Sequence, residues 1–156
     1  MRMNKGKSYS AWMLAGLLAI AAFALPATPA VAGEMMMYKS PYCGCCSNWA
    51  DTLKAAGFTV AENKDEDMDA IKAKYGVPEK LASCHTAIID GYVIEGHVPA
   101  ADVQRLLKEK PKDVVGLTAP GMPGQSPGMQ PNMLEPKNYD VLAFDKEGKT
   151  TVFSHY

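Results

Sequence analysis

Three of the four cysteines in this chain fall within four residues, as Cys43-Gly44-Cys45-Cys46, and the fourth, Cys84, stands far downstream. Four cysteines in a secreted chain ordinarily read as two disulfides with three possible connectivities. This spacing argues against that reading. A bridge between adjacent Cys45 and Cys46 would close a strained ring, and bridges within so short a segment constrain the unfolded chain less than bridges closing long loops. The fold must rest on an apolar core, and the thiols are left for chemistry.

Residues 1–32 read as a secretory signal. Arg2, Lys5 and Lys7 form a positive start, Ala11 to Leu25 is apolar without a charge, and Ala30-Val31-Ala32 supplies the small residues of a cleavage site. The 15-residue apolar run is shorter than the roughly 20 residues a membrane-spanning helix needs. Cleavage after Ala32 leaves Gly33–Tyr156, enough for a single domain with its own core. That domain keeps 13 basic against 17 acidic side chains, since the signal removes three basic residues and no acidic one. A mildly acidic surface gives no electrostatic reason to expect nucleic acid as a partner, and no membrane contact is expected once the signal is gone.

Residues 35–39 read as a buried strand that turns at Ser40-Pro41-Tyr42 into the cysteines. A helix follows at once, with Trp49 and Leu53 at i, i+4 and Gly57 placed to end it. Residues 58–61 read as a second strand. The acidic stretch 62–69 leads a second helix carrying Met68, Ile71 and Tyr75, closed by Gly76 and Pro78. Residues 86–94 read as a hairpin turning at Asp90-Gly91. A third helix begins near Pro99, with Asp102 complementing its dipole and Val103, Leu106 and Leu107 facing inward. Residues 114–136, rich in Gly, Pro, Met and Ser and carrying Pro-Gly-Met twice, are expected to form no regular element. The chain closes with a hairpin of residues 139–144 and 150–153. The fold class is α/β, a sheet covered by helices.

Cysteines at a strand-to-helix junction meet the unpaired N–H groups and positive dipole end of the helix, which favour thiolate. Thiolate is both nucleophile and metal ligand. Cys43 and Cys46 are spaced as C-x-x-C, and Cys45 adds a sulfur that dithiol redox chemistry does not require. Structural zinc sites usually take two pairs of ligands, which this chain does not offer. Crowded thiolates suit bridging of soft ions, and Cu(I) is the soft ion that thiolate and thioether favour. His85 and His97 are secondary ligand candidates, as are Met122 and Met129, with Met133, on the Gly/Pro segment. Against them stands the commoner reading of histidines as hydrogen-bonded structural residues and of Met35–Met37 and the loop methionines as packing residues. His155 reads as surface. Tyr42 and Trp49 are expected to pack beside the cysteines and limit solvent.

The segments Ser40-Pro41-Tyr42-Cys43-Gly44-Cys45-Cys46, Ser83-Cys84-His85-Thr86-Ala87 and Asp90-Gly91-Tyr92-Val93-Ile94-Glu95-Gly96-His97-Val98-Pro99, together with the Pro-Gly-Met loop, resemble the CopG-type periplasmic copper-resistance family. The resemblance implies a thioredoxin-like fold and a copper site of cysteine thiolates, which in that family can form a multinuclear cluster. Carried over, the ligands are Cys43, Cys45, Cys46 and Cys84. It further implies periplasmic location and a role in copper tolerance, including change of copper's oxidation state. Copper ions are then the partners, with periplasmic copper-export or copper-oxidising proteins as candidate protein partners that no motif specifies. Thioredoxins place a cis-proline in the loop facing their C-x-x-C motif; the corresponding segment here, Cys84-His85-Thr86, has none. The alternative is a thiol–disulfide oxidoreductase in which Cys43 attacks and Cys46 resolves.

Overall fold

Strand β1 (Glu34–Lys39) sends Met35, Met37 and Lys39 inward and alternates them with more exposed residues, the period-2 pattern of a strand. The computed structural model describes residue 1, residues 33–130 and residues 135–156, so the signal reading and the Met133 candidate lie outside the described residues. After β1 come α1 (Gly44–Ala55), β2 (Thr59–Lys64), α2 (Met68–Lys74), β3 (His85–Ile89), β4 (Tyr92–Glu95), α3 (Ala100–Glu109), β5 (Gly116–Thr118), β6 (Asp140–Phe144) and β7 (Thr150–His155). The seven strands form one mixed sheet in the order β2-β1-β3-β4-β5-β6-β7. β1 pairs with β2 in parallel and with β3 antiparallel. The β1-α1-β2-α2-β3-β4-α3 portion is the thioredoxin-like arrangement expected, and the terminal hairpin extends its sheet.

The two faces of the sheet carry different cores. On one, Met35, Met37, Ala87, Ile89, Ile94 and Leu117 pack with Trp49, Ala50 and Leu53 of α1 and Val103 and Leu106 of α3. On the other, Val93 and Phe144 pack with Val77 and Leu81, joined by Tyr75 and Ile88. Met35 and Met37 are thus core residues with no exposure. No helix among the described residues is long and apolar enough to cross a membrane.

Several elements follow from local chemistry. Gly57 ends α1 at φ +95°. Asp67 caps α2 by accepting the Ala70 N–H at 3.0 Å. Asp90 and Gly91, both at positive φ, make the β3–β4 turn that this pair of residues favours.

Two expectations need correction. Residues 62–64 lie in β2, because the parallel register with β1 continues to Lys39–Lys64, and so only the rest of the acidic stretch leads α2. The Gly/Pro-rich segment does contain a strand, β5, whose Gly116 is required because a Cβ there would run into the backbone of Val93. Asp102 stands in the first turn of α3 as expected, and it has a further role: only 4% exposed, it accepts hydrogen bonds from Ser154 Oγ at 2.5 Å and Tyr156 O–H at 2.8 Å and so docks the C-terminal hairpin. A short 3-10 turn at Glu79–Leu81, not anticipated, leads into β3.

Candidate metal centre

Cys43 is the N-cap of α1, with Cys45 and Cys46 in its first turn. That turn carries no acidic side chain and no side-chain cap, leaving its free N–H groups and dipole to act on the sulfurs. Lys39, almost fully buried at the end of β1, donates from Nζ to the Cys43 carbonyl at 2.8 Å and fixes the entry to the helix. The antiparallel β1–β3 pairing, Lys39 opposite His85, then brings the start of β3 beside the helix N-terminus.

The consequence is a single cluster of sulfur and nitrogen. The sulfurs of Cys43, Cys45, Cys46 and Cys84 lie within 4.8 Å of one another. Ligand atoms of Cys46, Cys84, His85 and His97 form a second, overlapping set within the same distance. Cys43 and Cys46 are joined as a disulfide, while Cys45 and Cys84 are free. The Cys45 sulfur is 3.5 Å from that of Cys43. All four predicted cysteine positions therefore converge, with Cys84 occupying the segment that faces the C-x-x-C pair.

Burial pushes the Cys84 thiol up to about 12, and neighbouring Cys45 adds to the shift. Unlike the cysteines of α1, Cys84 has no helix end to favour its thiolate, so its proton leaves readily only when a cation takes its place. His97 is set to assist. Its Nδ1 donates to the Pro127 carbonyl at 2.7 Å, which leaves Nε2 as the lone-pair nitrogen, 3.0 Å from the Cys84 sulfur. His85 is wholly buried, its Nδ1 is 3.6 Å from the same sulfur, and its Nε2 has no hydrogen-bond partner. Burial holds both imidazoles below the ordinary histidine range, His85 further than His97, so both are neutral. Neutral imidazole and soft sulfur form a donor set that fits a soft metal.

The two Pro-Gly-Met copies close on this cluster by their backbones. Gly121 pairs with Ser83, next to Cys84, and its carbonyl accepts from Ser83 Oγ. Gly128 lies so near α1 that a Cβ on it would approach the Trp49 nitrogen to 2.5 Å, and its φ is +85°. Residues 121 and 128 are thus held against the site through glycine. Its candidate side chains are less committed: Met122 is 62% exposed and Met129 is half-buried. Trp49 packs as expected, its ring centroid 4.3 Å from that of His85 and its Nε1 donating to the Val98 carbonyl. Tyr42 does not. It is 87% exposed, because it sits in the turn before the N-cap and not in the helix.

Sequence reasoning missed the charges around the centre, buried Lys39 and buried Glu95 with its half-buried partner Lys72, since charged residues read as surface unless a partner is known.

A family described as "Protein of unknown function, DUF411" matches residues 81–129, the stretch that holds Cys84, His85, His97 and both Pro-Gly-Met copies. Two solved structures, "Copper resistance protein copG" in Form 1 and Form 2, are similar to the chain at 40% and 39% identity with TM-scores of 0.72 and 0.73. Each match covers 80% of this chain and 98% of the other. No curated protein matches.

Proposed function

The chain belongs to the CopG-type copper-resistance family, and from that premise we propose that, once the Cys43–Cys46 disulfide is reduced, it holds Cu(I) in the periplasm through the thiolates of Cys43, Cys45, Cys46 and Cys84, as a multinuclear cluster. The observation that carries this reading is the convergence of four sulfurs within 4.8 Å, a soft donor set of the kind Cu(I) favours, three of them crowded into one turn where thiolates suit bridging. The neutral imidazoles of His97 and His85 border the same space and supplement the sulfurs. Periplasmic location is supported by residues 1–32, with their charged start, apolar run and Ala-Val-Ala end. Copper here is cargo, and copper-export or copper-oxidising proteins of the same compartment are the partners proposed.

Anaerobic titration of the reduced protein with Cu(I), against a competing chelator, is expected to saturate above one equivalent. Absence of tight uptake overturns the reading.

The Cys43–Cys46 disulfide favours a second reading, in which this pair is a redox couple. The couple has the electron count to act on copper: two Cu(II) ions take one electron each while two thiols release two protons and form the disulfide. Its alternative use is exchange with protein disulfides, Cys43 attacking and Cys46 resolving. Efficient reduction of insulin disulfides by a protein indifferent to copper decides for that alternative.

A further inference from the structure

Behind the metal centre, on the opposite face of the sheet, lies a carboxylate with no solvent exposure. Glu95 shares strand parity with Val93, whose side chain packs in the core on the α2 side, whereas Ile94 packs in the core under α1. Its Oε1 accepts the Ser83 N–H at 2.6 Å and Lys72 Nζ at 2.6 Å. Its Oε2 accepts the Thr86 hydroxyl at 2.6 Å, and Lys72 also donates to that hydroxyl, at 3.2 Å.

These partners are not scattered. Ser83 and Thr86 bracket Cys84-His85, so one carboxylate grips both ends of the dipeptide that brings a sulfur and an imidazole to the centre. Glu95 is also two residues before His97, and the intervening Gly96 donates its N–H to the His85 carbonyl at 2.9 Å. Gly96 stands at φ +71°, where a Cβ would collide with Ser83, so the junction is tight on every side. Residues 83–86 and 95–97 are thereby locked in one register, and the 3.0 Å approach of His97 Nε2 to the Cys84 sulfur depends on it.

A buried ion pair is weak evidence of stability, because apolar residues of like volume often serve as well. What an apolar residue lacks is acceptor capacity. A carboxylate accepts from a backbone N–H, an ammonium and a hydroxyl at once within the space of one side chain. We propose that Glu95 is a positioning residue for the Cys84–His85–His97 half of the metal centre, acting through the Ser83 N–H and the Thr86 hydroxyl, with Lys72 as its counter-charge. The inference rests on the copper-binding reading for its functional meaning, and on geometry alone for the positioning.

The test compares Glu95→Ala and Thr86→Val with Val93→Ala, a cavity-forming change in the same strand and on the same face that touches none of these hydrogen bonds. Cu(I) affinity is measured by chelator competition at a temperature where each variant is folded, and the ¹⁵N resonances of His97 are recorded in reduced, metal-free protein. Loss of a group bonded directly to a metal ligand typically lowers affinity on the order of 10- to 100-fold, and Glu95, which acts on the ligands through their neighbours Ser83 and Thr86, is set against the lower end of that range. Glu95→Ala is expected to lower affinity about 10-fold and to shift the His97 resonances, Thr86→Val to do both to a smaller degree, and Val93→Ala to do neither. Should Glu95→Ala fail to fold, Thr86→Val carries the comparison. The proposal is overturned if the folded variants keep wild-type affinity and wild-type His97 resonances, or if Val93→Ala alters both equally. A wild-type protein that takes up no Cu(I) removes the copper reading, and the resonances then decide the positioning role by themselves.

Discussion

Cys45 separates the two readings of the site. Its sulfur is 3.5 Å from Cys43, yet Cys43 is bonded to Cys46 and Cys45 stays free. A Cys45→Ser substitution is expected to leave the Cys43–Cys46 couple intact, with two thiols fewer after oxidation than after reduction, and to lower the number of Cu(I) ions bound. Copper titration alongside a free-thiol count checks this; unchanged copper capacity counts against a shared thiolate cluster. At this scale the cysteines were legible because crowding is visible in the chain itself. Glu95 and Lys39 were not, because their burial depends on Ser83, Thr86 and Lys72 in one case and the Cys43 carbonyl in the other, partners supplied by tertiary pairing. Tyr42 was misplaced for a related reason: nearness to Cys43 in sequence does not settle which way a turn residue faces.

The elements that follow from local signals were the readable ones. The helix after the cysteines, the Asp90-Gly91 hairpin and the terminal hairpin each have a cap, a turn or an alternating pattern. β5 has none of these. It is three residues long and exists because β4 and β6 offer free edges on either side of it. The terminal hairpin also yields a pH prediction. Burial and hydrogen bonding to Asp102 raise the Tyr156 phenol to about 12 from its ordinary 10.0, and burial raises the stacked Tyr139 as well. The unfolded chain therefore sheds these protons first, so the native state retains full stability below pH 10 and loses it as pH rises toward 12. Tyr156→Phe is expected to flatten the decline between about pH 10 and 12, as read from denaturant melts across that window. Equal slopes in both proteins contradict the assignment.

For the molecule as a whole, stability comes from the two cores and not from the disulfide. The Cys43–Cys46 bridge has a sequence separation of 3, and closure of so short a loop contributes on the order of 2 kcal/mol at most. Reduced, metal-free protein is expected to keep its far-ultraviolet spectrum and to melt no more than about 10 °C lower than the oxidised form. Loss of cooperative unfolding on reduction would place the bridge among the supports of the fold.

The donors of the centre are also spread unevenly along the chain. Cys43, Cys45 and Cys46 are neighbours in any conformation, but Cys84 and His97 join them only when β3 has paired with β1, and the Pro127 carbonyl orients His97 only after residues 127–128 have settled on α1. An unfolded chain holds only those three sulfurs close together, with Cys84 and the imidazoles at no fixed distance from them. The complete set of donors exists only in the folded chain, so under the copper-binding reading an ion that engages all of them does so after the fold has formed.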